Sequence, residues 1–226
     1  MVAIGPEGVV VDWAKAERHL RRDARLKPLL KRIGPCGLQP LRREPYEALV
    51  RAIAHQQVHG RAAEAMLGRL LGLHPGPAPF PAPRFVLELP AEALRGCGFS
   101  GSKVAAIRDI AEKAVGGLVP SLAEAERLSD EELIERLVAI RGVGRWTVEM
   151  LLMFTLGRPD VLPVDDFGVR EGWRIVTQAE AQPKPKELAS IGLEWAPWRS
   201  VAAWYLWRAA DAAKLARKPV AAASQI

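Results

Sequence analysis

The segment Leu137-Val138-Ala139-Ile140-Arg141-Gly142-Val143-Gly144-Arg145-Trp146-Thr147 constrains this chain more than any other. Two glycines flank one apolar residue between two amphipathic stretches, so the backbone can turn sharply with no Cβ to block close approach. Such a turn crowds its amides outward and suits an anion. The helix expected from about Arg145 adds the positive end of its dipole, so a backbone phosphate can be held there without any base being read. A short loop later, Val161-Leu162-Pro163-Val164-Asp165-Asp166-Phe167-Gly168-Val169-Arg170 places two carboxylates at the start of the next helix.

The rest of the chain reads as helix almost throughout. Asp12 to about Leu30 opens on a good N-cap, alternates charge along one face and ends near Pro28. Pro45 is expected in a first turn, with Leu49, Val50, Ile53, Ala54 and Gln57 at helical spacing, and Gly60 marks a break before a helix from about Arg61 to Leu71. The proline-rich stretch Leu73 to Pro90 is expected to be an irregular connector. Ser102 is placed as the cap of Lys103 to Val115, which Gly116-Gly117 ends. Ser129 and Glu132 form a capping box, and Leu133, Ile134, Leu137 and Val138 make the buried stripe that follows.

Arg145 to about Leu156 is apolar nearly all round and should lie in a core. Asp165 or Asp166 then caps a helix to about Val176, Pro185 opens a short one, and Pro197 opens the last, ending near Ala216. Only Gly8 to Val11 suggests a strand, so the fold expected is all-α.

Three blocks in order, Tyr46 to Val58, the glycine hairpin with Asp166, and Trp195 to Trp207, resemble the helix-hairpin-helix DNA glycosylase superfamily, within it the AlkA-like 3-methyladenine DNA glycosylase II branch. The resemblance implies a two-lobed fold with a middle lobe over 45–155, a second lobe from 1–44 plus 156–226, and an active site in the cleft between them. It further implies that the extra N-terminal β domain often found in that branch has too few residues to form before Pro45.

The implied activity is monofunctional: extrusion of an alkylated purine from duplex DNA and hydrolysis of its N-glycosidic bond. Bifunctional relatives carry a lysine after Gly-x-Gly-Arg that forms a Schiff base with the sugar; here Trp146 stands in that place, and neither Lys103 nor Lys113 has a sequence reason to replace it. The catalytic carboxylate is assigned to Asp166 over Asp165, because the pattern after Asp166 stays in register through Trp173; ordinary N-capping is the alternative role for either. Trp146, Met150 and Trp207 are expected to line the base pocket, where an indole attracts a cationic purine by about 0.5–2 kcal/mol. Gln56 and Gln57 fall where the family fills the gap left by the flipped base, with Gln57 the candidate wedge. Gly142, Val143, Gly144, Arg145 and Thr147 are the expected DNA contacts. The carbonyls of Val138, Ile140 and Val143 match a family cation site, and no other cofactor is called for. A glycosylase for deaminated or oxidised bases, or a non-catalytic DNA lesion-binding protein, are the alternatives.

Composition agrees with a nucleic-acid partner. Of 226 residues 49% are hydrophobic, enough for a sizeable core, and 32 Lys and Arg against 26 Asp and Glu give +6. A pI near 9.6 favours polyanions. Two cysteines, Cys36 and Cys97, cannot assemble a four-thiolate iron-sulfur cluster and are expected as buried or partly buried free thiols. No apolar run is long enough for a membrane span and Met1 to Val11 lacks a basic leader, so a cytoplasmic, nucleoid-associated monomer acting on damaged double-stranded DNA is expected.

Overall fold

Helix follows helix wherever a proline, serine or aspartate can start one. A computed structural model describes residues 13–217. In order it holds α1 (Trp13–Leu20), α2 (Lys27–Ile33), α3 (Pro45–His55), α4 (Gly60–Gly72), α5 (Pro83–Glu88), α6 (Ala91–Gly96) and α7 (Gly101–Val115). Then come α8 (Leu122–Ala125), α9 (Asp130–Leu137), α10 (Arg145–Phe154), α11 (Phe167–Thr177), α12 (Pro185–Ile191), a 3-10 turn (Gly192–Trp195) and α13 (Arg199–Arg217). The described residues contain no strand, as all-α patterning requires. The expected Asp12 cap and the Gly8 to Val11 segment lie outside them.

Several local expectations are corrected. The single helix expected to end near Pro28 is two, because Asp23 turns its carboxylate onto the Arg25 amide at 2.8 Å and breaks the first helix. Pro28 instead sits in the first turn of α2, where its missing N–H costs nothing. Prolines do the same inside the expected connector: Pro83 starts α5. Gly60 opens α4 rather than breaking the chain, the break falling at residues 56–59. The cap of α7 is Ser100, whose hydroxyl accepts the Lys103 amide, and not Ser102. Val138 is 42% exposed and lies past the end of the buried stripe. The Ser129–Glu132 capping box and the Pro45 start stand as expected.

The described residues divide into two compact units, one of Pro40–Leu156 and one of 13–39 with 157–217. In the first, α3 packs on α4, α7 and α10. Leu49, Val50 and Ile53 of α3 are fully buried, each contributing about 1.5–3 kcal/mol against solvent exposure. Arg108 on α7 donates to the Leu89 and Leu87 carbonyls at 2.8 and 3.2 Å, satisfying the acceptors at the end of α5.

In the second unit α13 is central and α11 runs against it. The two backbones touch at Gly172, where any Cβ would overlap the Leu206 carbonyl. Trp195 is fully buried and its indole N–H donates to Asp23 at 3.0 Å. Trp173 packs on it at 5.3 Å between ring centroids, with the Arg25 guanidinium 4.7 Å above the Trp173 ring. Tyr205 hydrogen-bonds to the Gly34 carbonyl at 2.7 Å. Cys36 and Cys97 are both free thiols, half-buried and buried respectively.

Candidate active site and DNA interface

The hairpin turn spans the residues between α9 and α10. Within it Ile140 donates to the Leu137 carbonyl and Val143 to that of Ile140, both at 3.1 Å, while the Arg141 amide is taken by Asp109 at 2.7 Å. The amides of Gly142, Gly144 and Arg145 have no acceptor among the described residues. Gly142 is required twice over. Its φ of +77° disfavours a side chain, and a Cβ would approach Ala106 Cβ to 3.1 Å and Ile53 Cδ1 to 3.4 Å. Gly144 has an ordinary φ of −95° and a Cβ there would meet nothing within 4 Å, so its bareness serves the surface rather than the packing.

Not every expected contact residue is offered outward. Thr147 is 3% exposed and its amide donates to Gly144, so it supports α10 and presents no hydroxyl at the surface. Val143 is 4% exposed and contributes backbone alone. Arg145 is held in carboxylates: its guanidinium meets Glu131 at 3.0 and 3.2 Å and Glu149, 5% exposed, at 3.3 Å. The hydrogen bonds from Arg145 hold the Glu131 carboxyl below its ordinary range. Trp146 is 42% exposed and Met150, one turn on, is half-buried.

The loop between α3 and α4 is tied to this turn. Gln56 donates its side-chain amide to the Gly142 carbonyl at 3.1 Å, which makes it a strut, while Gln57 stands exposed in the left-handed region at φ +56°. Lys103 donates to the Ala54 carbonyl at 2.8 Å at the end of α3, and burial pushes its ammonium pKa down.

In the other unit, the two adjacent aspartates have different settings. Asp165 is exposed; Asp166 is half-buried and caps α11. Oδ1 of Asp166 accepts both the Val169 amide and the Trp207 indole N–H, each at 2.8 Å. Two donors on one oxygen, at the head of α11, fix the side-chain torsions. Gly168 makes room: a Cβ there would come 2.8 Å from Trp207 Cδ1 and 3.1 Å from Asp166 Oδ1.

The loop before Asp166 is locked to α13, the helix that carries Trp207. The fully buried Ser200 hydroxyl donates to the Arg158 carbonyl at 2.7 Å and accepts the Val161 amide at 2.9 Å, and Arg199 grips Asp160 at 2.7 and 2.8 Å. Sequence reasoning left Ser200 and the Arg199–Asp160 pair without a role. The signal for the first was a serine inside an otherwise apolar helix face. Phe167, 68% exposed beside the carboxylate, was also not singled out.

Residues 50–197 match the model of the HhH-GPD superfamily of base excision DNA repair proteins. DNA-3-methyladenine glycosylase 1 of Schizosaccharomyces pombe is 43% identical over 219 residues, covering 95% of this chain and 94% of that protein. Among solved structures, the S. pombe 3-methyladenine DNA glycosylase in complex with abasic DNA superposes with a TM-score of 0.77 at 44% identity, covering 86% of this chain and 95% of that one. A DNA-3-methyladenine glycosidase from Bacillus halodurans gives a TM-score of 0.77 at 33% identity, covering 90% and 92%.

Proposed function

The chain belongs to the HhH-GPD superfamily of base excision DNA repair proteins, and on that footing we propose that it is a monofunctional DNA glycosylase that releases N3- and N7-alkylated purines from duplex DNA. The observation that carries this reading is Asp166, fixed at the head of α11 by the Val169 amide and the Trp207 indole. Breaking an N-glycosidic bond develops positive charge on the deoxyribose, and a pre-positioned carboxylate stabilises that charge and orients the attacking water. A cationic alkylpurine is already a good leaving group, so one carboxylate suffices and no general acid is needed on the base.

Trp146 occupies the place of the strand-cleaving lysine, which leaves water as the nucleophile and an abasic site as the product. Its exposed indole suits a flat cationic ring. Trp207 acts as a positioning residue, its indole edge committed to Asp166. The amides of Gly142, Gly144 and Arg145 would receive a phosphate, and Gln57, exposed on its left-handed turn, would enter the stack where the base leaves. Arg145 reaches phosphate only by giving up Glu131.

The family's cation fits the same turn. The Ile140 carbonyl accepts one N–H, and those of Val138 and Val143 accept none among the described residues, a set of neutral oxygens that suits a hard cation. Bound there, the ion would add positive charge toward a DNA phosphate.

The test is base release from duplexes carrying 3-methyladenine, 7-methylguanine, hypoxanthine or 8-oxoguanine, followed by borohydride treatment. Alkylpurine release with the strand intact until alkali is added is the expected result. A borohydride-trapped protein–DNA adduct would overturn the monofunctional assignment.

A further inference from the structure

The segment that holds α1, α2 and the turn between them has a net charge equal to that of the whole chain. Residues 13–33 contain eight Lys and Arg against two acidic residues, and their net +6 equals that of all 226 residues. Both acids are already committed. Glu17, 8% exposed, accepts the Cys36 amide at 2.7 Å and pairs with Arg21 at 3.4 Å. Asp23 holds Arg25 at 2.8 Å and the Trp195 indole at 3.0 Å, and Glu194 of the 3-10 turn adds a second partner to Arg25 at 3.1 Å. Arg18, Arg22, Lys27, Lys31 and Arg32 are exposed, and no carboxylate among the described residues lies within ion-pair distance of any of them.

Five cations without counter-charge on one short helix-turn-helix repel one another, a cost that a bound polyanion relieves. Lys27 and Lys31 are four residues apart in α2 and share a side of that helix, while Arg22 stands in the turn that links α1 to α2. Nothing in the surface suits a lipid bilayer or an unpaired strand. An interfacial helix needs a free apolar face, whereas Leu26, Leu29 and Leu30 are buried in the unit's own core. A single-strand binder stacks bases on exposed aromatics, whereas Trp13, the one aromatic residue of the segment besides His19, is 4% exposed. Charge without apolar or aromatic contact is the requirement of a duplex backbone.

We propose that the α1–α2 surface binds the phosphate backbone of double-stranded DNA, as a contact separate from the hairpin turn and indifferent to the lesion. The proposal rests on the glycosylase reading only for the identity of the polyanion. Its role is to hold undamaged duplex loosely while the protein searches, since a contact made through counterion release carries no sequence preference.

The full chain carrying Arg22→Gln, Lys27→Gln and Lys31→Gln is compared with a control of equal charge change, Arg84→Gln, Arg127→Gln and Lys186→Gln, all exposed positions. Fluorescence anisotropy on an undamaged duplex across a KCl series gives the slope of log K against log salt. The α1–α2 variant should lose about 0.9 of slope per engaged cation, so about two to three in all, and at least about tenfold in affinity at low salt. The control should keep the wild-type slope, and single-turnover release of 7-methylguanine at saturating enzyme should be unchanged in both. Equal slopes in the two variants would show a global charge effect and overturn the proposal. So would loss of binding to phosphatidylserine vesicles with the DNA slope intact, which would make the partner a lipid surface. If the wild-type protein releases no alkylpurine yet the slopes separate as expected, the glycosylase reading fails and the DNA contact stands.

Discussion

Replacing Trp207 by Phe removes one donor from Asp166 while leaving an aromatic ring on α13. The bond at stake is 2.8 Å long and runs from an indole N–H to a carboxylate oxygen, a charge-assisted contact contributing about 1.5–3 kcal/mol. If that contribution is expressed in the transition state, base release slows by about 10- to 150-fold. The Val169 amide still holds the same oxygen, so the lower half of that range is expected. The assay is single-turnover release of 7-methylguanine at saturating enzyme, with affinity for an abasic duplex measured in parallel. The rate constant should fall while abasic-site affinity stays within about twofold, since the indole N–H is committed to the carboxylate. The decisive measurement is a double-mutant cycle with Asp166→Asn. If Trp207 acts through the carboxylate, Trp207→Phe should cost little more once the charge is gone. An equal loss in both backgrounds, or a wild-type rate in the single variant, would refute the positioning role.

Three further outcomes are expected. Asp166→Asn keeps an oxygen for the Val169 and Trp207 donors but not the charge, so release should fall on the order of 10³-fold with capping preserved to about 1 kcal/mol, whereas exposed Asp165→Asn should release base at nearly the wild-type rate; single-turnover rates and thermal melts on both variants check this. Gly142→Val should destabilise the protein by about 2 kcal/mol or more through its positive φ and the Ala106 contact, while Gly144→Val should leave the melting temperature nearly unchanged and weaken binding to every duplex alike, as denaturation and anisotropy would show. Burial pushes the Cys36 thiol up to about 12, so iodoacetamide at pH 8 should label it far more slowly than an unfolded cysteine; because the folded value lies above the unfolded one near 9, the stability linked to this group is complete below pH 9 and is lost as pH rises toward 12. Rapid labelling of the native protein would contradict that burial.

Much of the helical order was legible because the signals that start helices act within four residues. Ser129 and Glu132 cap each other, and Pro45 and Pro185 need only their own first turn. The Gly142 turn and the carboxylate at the head of α11 were readable for the same reason. Where two local solutions compete, sequence alone chose badly: Ser100 caps α7 where Ser102 was expected to, Pro28 read as a helix end and Pro83 as part of an irregular connector, and both prolines begin helices. What only the tertiary structure decided is pairing at a distance. Trp207 reaches Asp166 across 41 residues, Ser200 holds Val161 across 39, and Arg145 spends its charge on Glu131 across 14. A side chain's hydrogen-bond partner depends on which helices share a face after packing. An indole, a hydroxyl or a guanidinium carries no mark in the sequence of whether it will meet solvent, substrate or a carboxylate of its own chain.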